Sequence, residues 1–252
     1  MDNKKFHNNL IVSTSPHIVT DEDTTKLMGT VLLAMLPALV ASTYIFGARV
    51  LLLAAVCIVA SVGFEWIYNM LAKKPQTISD LSAAVTGLLI AFNVPSSFPL
   101  WMAVIGCFVA IVVIKQLYGG IGRNFVNPAI TARIFLFISF AAQMTTWPLP
   151  RMAAKTDALT GPTPLALVAA SKSDLPSNMD MFLGFTGGSL GEVSALAILV
   201  GGLFLIWRKV ISPAIPCAFL GTIFVIALAY YKGDFNMAIF HLCAGGAMLG
   251  AF

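Results

Sequence analysis

The chain has 252 residues, of which 58% are hydrophobic and only 10% charged, with 15 Lys+Arg against 11 Asp+Glu, a net charge of +4 and a mean hydropathy of +0.89. Soluble domains carry about 25% charged residues, so this chain has too little charge to cover a water-facing surface, and it is far too apolar to be disordered. The modest basic balance, with no cationic stripe studded by aromatics, also gives nucleic-acid binding no support.

An integral membrane protein remains, and a spanning helix takes about 20 mostly apolar residues. Residues 1–26 are polar and read as a tail with no cleavable signal, because the first apolar run is as long as a true span. The runs 27–46, 50–71 and 100–117 read as full spans, as do 193–207 and 211–231. Two runs are short: 79–92 stops at Asn93-Val94-Pro95, and 129–142 follows Asn127-Pro128. The last, 237–252, reaches the end of the sequence. None alternates as barrel strands do. The fold class is therefore all-α, a polytopic transmembrane helical bundle of eight segments.

Basic residues orient the bundle through their excess on the cytoplasmic side. An N-terminus inside the cell puts Lys4, Lys5, Lys26, Lys73, Lys74, Lys115, Arg123, Arg133, Arg208 and Lys209 at or near the inner face, and leaves Arg49, Arg151, Lys155, Lys172 and Lys232 outside. The tail is accordingly expected in the cytoplasm and the long 143–192 connection outside it. Short, interrupted segments in matching places of two halves point to an inverted repeat. Here 27–142 reads as a first repeat and 193–252 as an incomplete second one, because the run Gly245–Phe252 echoes Gly87–Phe92. Two further helices are expected after Phe252.

Cys57, Cys107, Cys217 and Cys243 fall one each in four apolar runs and form no C-x-x-C pair, so they read as small buried apolar residues rather than metal ligands. His7, His17 and His241 are too scattered to suggest a ligand set. Glu65, flanked by Phe64 and Trp66, is an ionisable group at membrane depth and hence a functional candidate. Lys115, near the end of its run, reads as a snorkelling lysine.

Two loops carry the chemistry. The first, 118–128, holds Gly119, Gly120 and Gly122 with Asn124 and Asn127 before Pro128. It reads either as a re-entrant turn whose asparagines cap a helix, or as a place where amide donors and acceptors meet the edge of a flat heterocycle. A dinucleotide fingerprint is excluded, because the glycines follow a membrane helix rather than a strand. The second, 157–167, holds Asp157, Thr160, Gly161, Pro162, Thr163 and Pro164. Thr163 suits an N-cap with Pro164 at the first helical position, and a threonine hydroxyl at a helix start can also hold a phosphate or be esterified to one. Gly187-Gly188-Ser189-Leu190-Gly191-Glu192 offers a further backbone nest for an anion, or simply a flexible lead into the next helix.

These loops, with Val12-Ser13-Thr14-Ser15-Pro16-His17-Ile18 near the start and Lys115-Gln116-Leu117-Tyr118-Gly119-Gly120 in the middle, resemble the D subunit of the Rnf complex, over essentially the whole chain. That complex is an ion-translocating ferredoxin:NAD+ oxidoreductase, and a close relative is the B subunit of the sodium-pumping NADH:quinone oxidoreductase. The resemblance implies a fold of two inverted repeats of about five helices, like that of urea channels. It implies FMN joined through its phosphate to Thr163 by a dedicated flavin transferase, with Asp157, Thr160 and Gly161 completing the acceptor motif. Pro162 departs from the small residue usual there and stiffens the loop. It also implies a noncovalent riboflavin at Asn124 and Asn127, a place in a bacterial cell membrane, and partners among the other Rnf subunits, including a neighbouring flavoprotein. Electrons would pass between FMN and riboflavin on the way to NAD+, with Na+ or H+ moved across the membrane and Glu65 a candidate for the ion path. The rival class is an inverted-repeat channel or transporter for a small polar solute, which needs no flavin-acceptor motif. A purely structural membrane protein would keep electron transfer after losing its flavin.

Overall fold

The computed structural model describes residues 23–150, 160–170, 175–244 and 246–252. Most of the tail assigned to 1–26, the site candidate Asp157 and the loop cations Arg151, Lys155 and Lys172 lie outside the described residues. Asp23 opens the first helix by accepting a hydrogen bond from Thr24 N at 2.7 Å. Helices α1 (Thr24–Phe46) and α2 (Arg49–Leu71) each run 23 residues and are long and apolar enough to cross a membrane. A 3-10 turn at Ile78–Asp80 then leads into the short α3 (Ser82–Phe92). Helix α4 (Leu100–Phe108) continues unbroken into a π-helical stretch, Val109–Gln116. Arg49 holds the turn between α3 and α4, donating from Nε to Ser96 O at 3.1 Å and from Nη2 to Ser97 O at 3.2 Å.

After the glycine turn come α5 (Pro128–Ser139) and the single turn α6 (Ala141–Met144). The 143–192 connection contains structure of its own. Strands β1 (Trp147–Pro148) and β2 (Thr160–Gly161) pair antiparallel, followed by α7 (Pro164–Ala169) and α8 (Asn178–Leu183). The second series is α9 (Ala195–Trp207), α10 (Ala214–Tyr230), α11 (Phe235–Cys243) and α12 (Ala247–Ala251).

Each of the eight apolar runs coincides with helix over most of its length, but 79–92 is interrupted at Leu81 and 129–142 at Phe140, and the last run departs further. The final run, expected as one segment, is broken at Ala244, whose backbone is extended (φ −85°, ψ 133°) between α11 and α12. Hydropathy misses this because the break is made of small apolar residues, which cost nothing on a transfer scale.

Helix α2 forms the centre, with Val50, Leu53 and Cys57 wholly enclosed against α3 and α4, and α1 packs along α9. The outward faces carry Leu33, Val40 and Tyr44 on α1 and Ile215, Val225 and Tyr230 on α10. An apolar surface this continuous suits lipid rather than water. Helices in lipid associate through close packing at small residues, and the α1–α9 contact depends on one of them. A Cβ built on Gly201 would lie 2.1 Å from Ala34 O. Gly201→Leu is therefore expected to pry α9 from α1 and cost about 1–3 kcal/mol or more, read as a lowered thermal midpoint in detergent. An unchanged midpoint would show that the two helices are not in this contact.

Candidate functional site

Thr163 lies where the second loop meets the bundle. Its Oγ1 accepts from Ala166 N at 3.3 Å and caps α7, with Pro164 at the first helical position, as the sequence suggests. Trp147 pairs with Gly161 and Pro148 with Thr160, so β1 and β2 pin this loop two residues before Thr163. Thr160 itself points outward, and its contribution is the ladder rather than a wall of the site. Helix α7 is only six residues long, so its dipole contributes little and any anion here must be held by other groups.

Those groups line a cavity of about 320 Å³ in which Thr163 meets Arg133, Glu192, Phe137, Trp147 and the Gly187-Gly188 backbone. Among the described residues, the Gly187 and Gly188 amides donate to no acceptor. A hydroxyl, a guanidinium, two open backbone N–H groups and two aromatic side chains in one enclosure fit a phosphate ester carrying a flat ring system.

A second cavity of about 270 Å³ is lined by Asn127, Asn93, Arg133, Glu192, Leu89 and Leu249. Asn127 Oδ1 accepts from Ala129 N at 3.0 Å and Ile130 N at 3.4 Å, so it caps α5. Its Nδ2 stays available on a cavity walled by the Asn93 amide, the Arg133 and Glu192 charges and apolar side chains. Asn124 is elsewhere. With its amide oriented to satisfy its surroundings, Nδ2 donates to Ile114 O and Lys115 O at 3.2 Å and to Gly120 O at 3.3 Å, which closes the end of the π-helical stretch. The two asparagines are thus near in sequence but not on one wall. Positive φ at Gly119 (110°), Gly120 (89°) and Gly122 (77°) turns the chain back on itself and makes that capping possible.

The two cavities share Arg133, Glu192 and Gly246. Arg133 Nη1 donates to Glu192 Oε1 and to Asn93 Oδ1, both at 2.9 Å. The loop that carries Glu192 is stitched to the broken end of α3, with Gly191 N donating to Phe92 O at 2.9 Å and Leu190 N to Val94 O at 3.3 Å. Ser42 Oγ on α1 donates to Leu190 O. Sequence reasoning used Arg133 only as a flanking charge and Asn93 only as a helix stop. The detectable signal was an arginine well inside an apolar run.

Glu65 and Lys115 form a second buried centre. Their side chains are 1% and 3% exposed and pair at 3.2 Å. Glu65 Oε1 also accepts from Gln116 Nε2 at 2.6 Å and Thr77 Oγ1 at 2.8 Å. Lys115 Nζ donates to Ser82 Oγ at 2.5 Å, and Ser82 Oγ in turn to Asp80 Oδ1 at 2.5 Å. The snorkelling reading of Lys115 is therefore corrected: the ammonium turns inward because the wider π-helical turn brings both Lys115 and Gln116 to face Glu65. Lys115 and Arg133 consequently leave the set of flanking cations, and the remaining inward majority keeps its sign. Of the cysteines, Cys57, Cys107 and Cys243 are buried and Cys217 is exposed, and the described residues contain no metal-binding cluster.

The sequence profile of the NQR2, RnfD, RnfE family matches residues 11–252. The chain is 45% identical over 247 residues to the D subunit of the Na(+)-translocating ferredoxin:NAD(+) oxidoreductase complex of Acetobacterium woodii, covering 97% of this chain and 76% of that protein. It is 37% identical over 256 residues to the D subunit of the proton-translocating ferredoxin:NAD(+) oxidoreductase complex of Clostridium ljungdahlii, covering 96% and 76%. To the D subunit of the ion-translocating oxidoreductase complex of Aliivibrio salmonicida it is 35% identical over 281 residues, covering 96% and 80%.

Proposed function

This chain belongs to the NQR2, RnfD, RnfE family, and from that premise we propose that it is the flavin-carrying membrane subunit of an ion-translocating ferredoxin:NAD+ oxidoreductase. In this reading Thr163 carries FMN through a phosphoester made by a flavin transferase, and riboflavin occupies the Asn127 cavity. Asp157, Thr160 and Gly161 form the recognition context of the acceptor threonine. Asn124 acts at one remove, by holding the glycine turn that leads to Asn127. The observation that carries the reading is the threonine of the acceptor motif standing on a cavity with Arg133, open glycine amides and two aromatic side chains.

When bound, the flavins carry the electrons, and the protein fixes their position and limits water. Thr163 supplies the attachment oxygen, β1 and β2 hold its loop, and Trp147 and Phe137 wall the ring side of the enclosure. Residues 27–142 serve as the first inverted repeat and 193–252 as part of the second, with 143–192 outside the cell and the tail within it. The interrupted helices support this, since α3 stops just before Asn93 and α11 ends at Cys243, and each of these two residues lines one of the cavities. Neighbouring Rnf proteins would deliver and collect electrons in a bacterial cell membrane. The coupled ion is Na+ or H+, as the relatives named for each illustrate.

Protein purified from a host that has the flavin transferase, denatured and run on a gel, is expected to give a band that fluoresces under ultraviolet light. A dark band of the intact protein would overturn the covalent-flavin reading and leave a solute channel as the better account of two adjoining cavities.

A further inference from the structure

Among the described residues, Arg133 and Glu192 are the only charged residues lining the Thr163 cavity, and also the only charged residues lining the Asn127 cavity. They pair at 2.9 Å with side chains 34% and 11% exposed, so the contact is partly withdrawn from solvent and its field is screened less than a surface pair's. Arg133 Nη1 is committed to Glu192 and Asn93, while among the described residues its other guanidinium N–H groups have no acceptor. Glu192 is held rigidly by the backbone bonds of Leu190 and Gly191 to the end of α3.

We propose that the Arg133–Glu192 pair is a charge-balanced partition between the two cavities, which keeps either charge alone from biasing how readily the ligands on both sides accept negative charge. This rests on the flavin reading above. An electron arriving without a proton adds one negative charge to a bound flavin. A neutral pair beside it neither favours nor opposes that charge strongly, whereas either member alone would act on both cavities at once. Glu192 is thus a positioning residue. It aims the guanidinium and cancels most of its field, and Asn93 fixes the rotamer from the other side.

The two single substitutions are expected to act with opposite signs. Flavin-loaded protein in detergent is titrated spectroelectrochemically as wild type, Glu192→Gln, Arg133→Met and the double variant. Glu192→Gln leaves an unbalanced cation and is expected to favour the reduced flavins, changing the reduced-to-oxidised ratio at fixed potential about tenfold, which is about 59 mV for a one-electron couple. Arg133→Met leaves an unbalanced carboxylate and is expected to shift the ratio by a similar factor in the opposite direction. The double variant removes both charges and should return close to wild type. Shifts of the same sign in both single variants, or no shift in either, would overturn the proposal. Should Arg133→Met not accumulate, Glu192→Gln and the double variant decide it: an upward shift that persists in the double variant is not an effect of the unbalanced cation. A wild-type protein without any flavin would instead sink the functional reading itself, and this proposal with it.

Discussion

A Thr163→Asn protein, expressed beside the flavin transferase, is expected to run as a full-length band with no flavin fluorescence while still releasing riboflavin on mild denaturation. Asparagine is the informative replacement because Thr163 has two roles. Its Oγ1 accepts from Ala166 N and caps α7, and alanine would remove the cap along with the hydroxyl, at about 1 kcal/mol. Asparagine ranks among the best N-caps but offers no hydroxyl to esterify. Loss of the band in Thr163→Asn therefore reports the acceptor atom rather than a loosened loop. Retained riboflavin reports an intact Asn127 cavity, whose lining does not include Thr163. A fluorescent band surviving in Thr163→Asn would move the attachment site to another residue. Loss of both flavins together would mean that the substitution acts on the fold.

Much of this architecture is legible before any coordinates, because lipid imposes a length requirement that composition cannot hide. The runs beginning at 27 and 50 become α1 and α2 within a few residues of the expected ends. The Asn127-Pro128 and Thr163-Pro164 pairs cap helices where local stereochemistry says they should. Chemistry between distant segments is less visible. Glu65 and Lys115 are separated by fifty positions and meet only because α2 packs on α4 and the π-helical turn redirects Lys115. Position alone makes Lys115 look like a residue reaching for the interface. Arg133 is hidden in the same way, since a charge-counting rule treats every cation near a helix end alike. Asn124 and Asn127 look equivalent in sequence, yet one closes a helix end and the other opens onto a cavity, and three glycines with positive φ make the difference. Side-chain pairing across helices is a property of packing angle and local helix type, neither of which hydropathy encodes.

The largest effect on stability is expected at the Glu65–Lys115 centre. Replacing Lys115 by methionine keeps an unbranched side chain one atom shorter but strands a carboxylate that is 1% exposed. Breaking a buried pair by removing one partner costs about 3–5 kcal/mol, because an uncompensated charge remains in a poorly solvated place. The remaining donors, Thr77 Oγ1 and Gln116 Nε2, bind Glu65 Oε1 but bring no charge. Lys115→Met should therefore lower the thermal midpoint in detergent sharply, and more than Glu65→Gln, which leaves an ammonium still bonded to Ser82 Oγ and an amide oxygen able to accept from Thr77 and Gln116. The double variant Lys115→Met/Glu65→Gln is the decisive one. Replacing both members of a buried pair by neutral groups of similar size is often neutral or stabilising, so it should recover most of the loss. A Lys115→Met protein as stable as wild type would show that Glu65 is not held as a buried anion by this lysine. Failure of the double variant to recover would show that the ammonium matters through its bond to Ser82 Oγ rather than by balancing the Glu65 carboxylate, since the double variant has no stranded charge at Glu65 but still lacks the bond to Ser82.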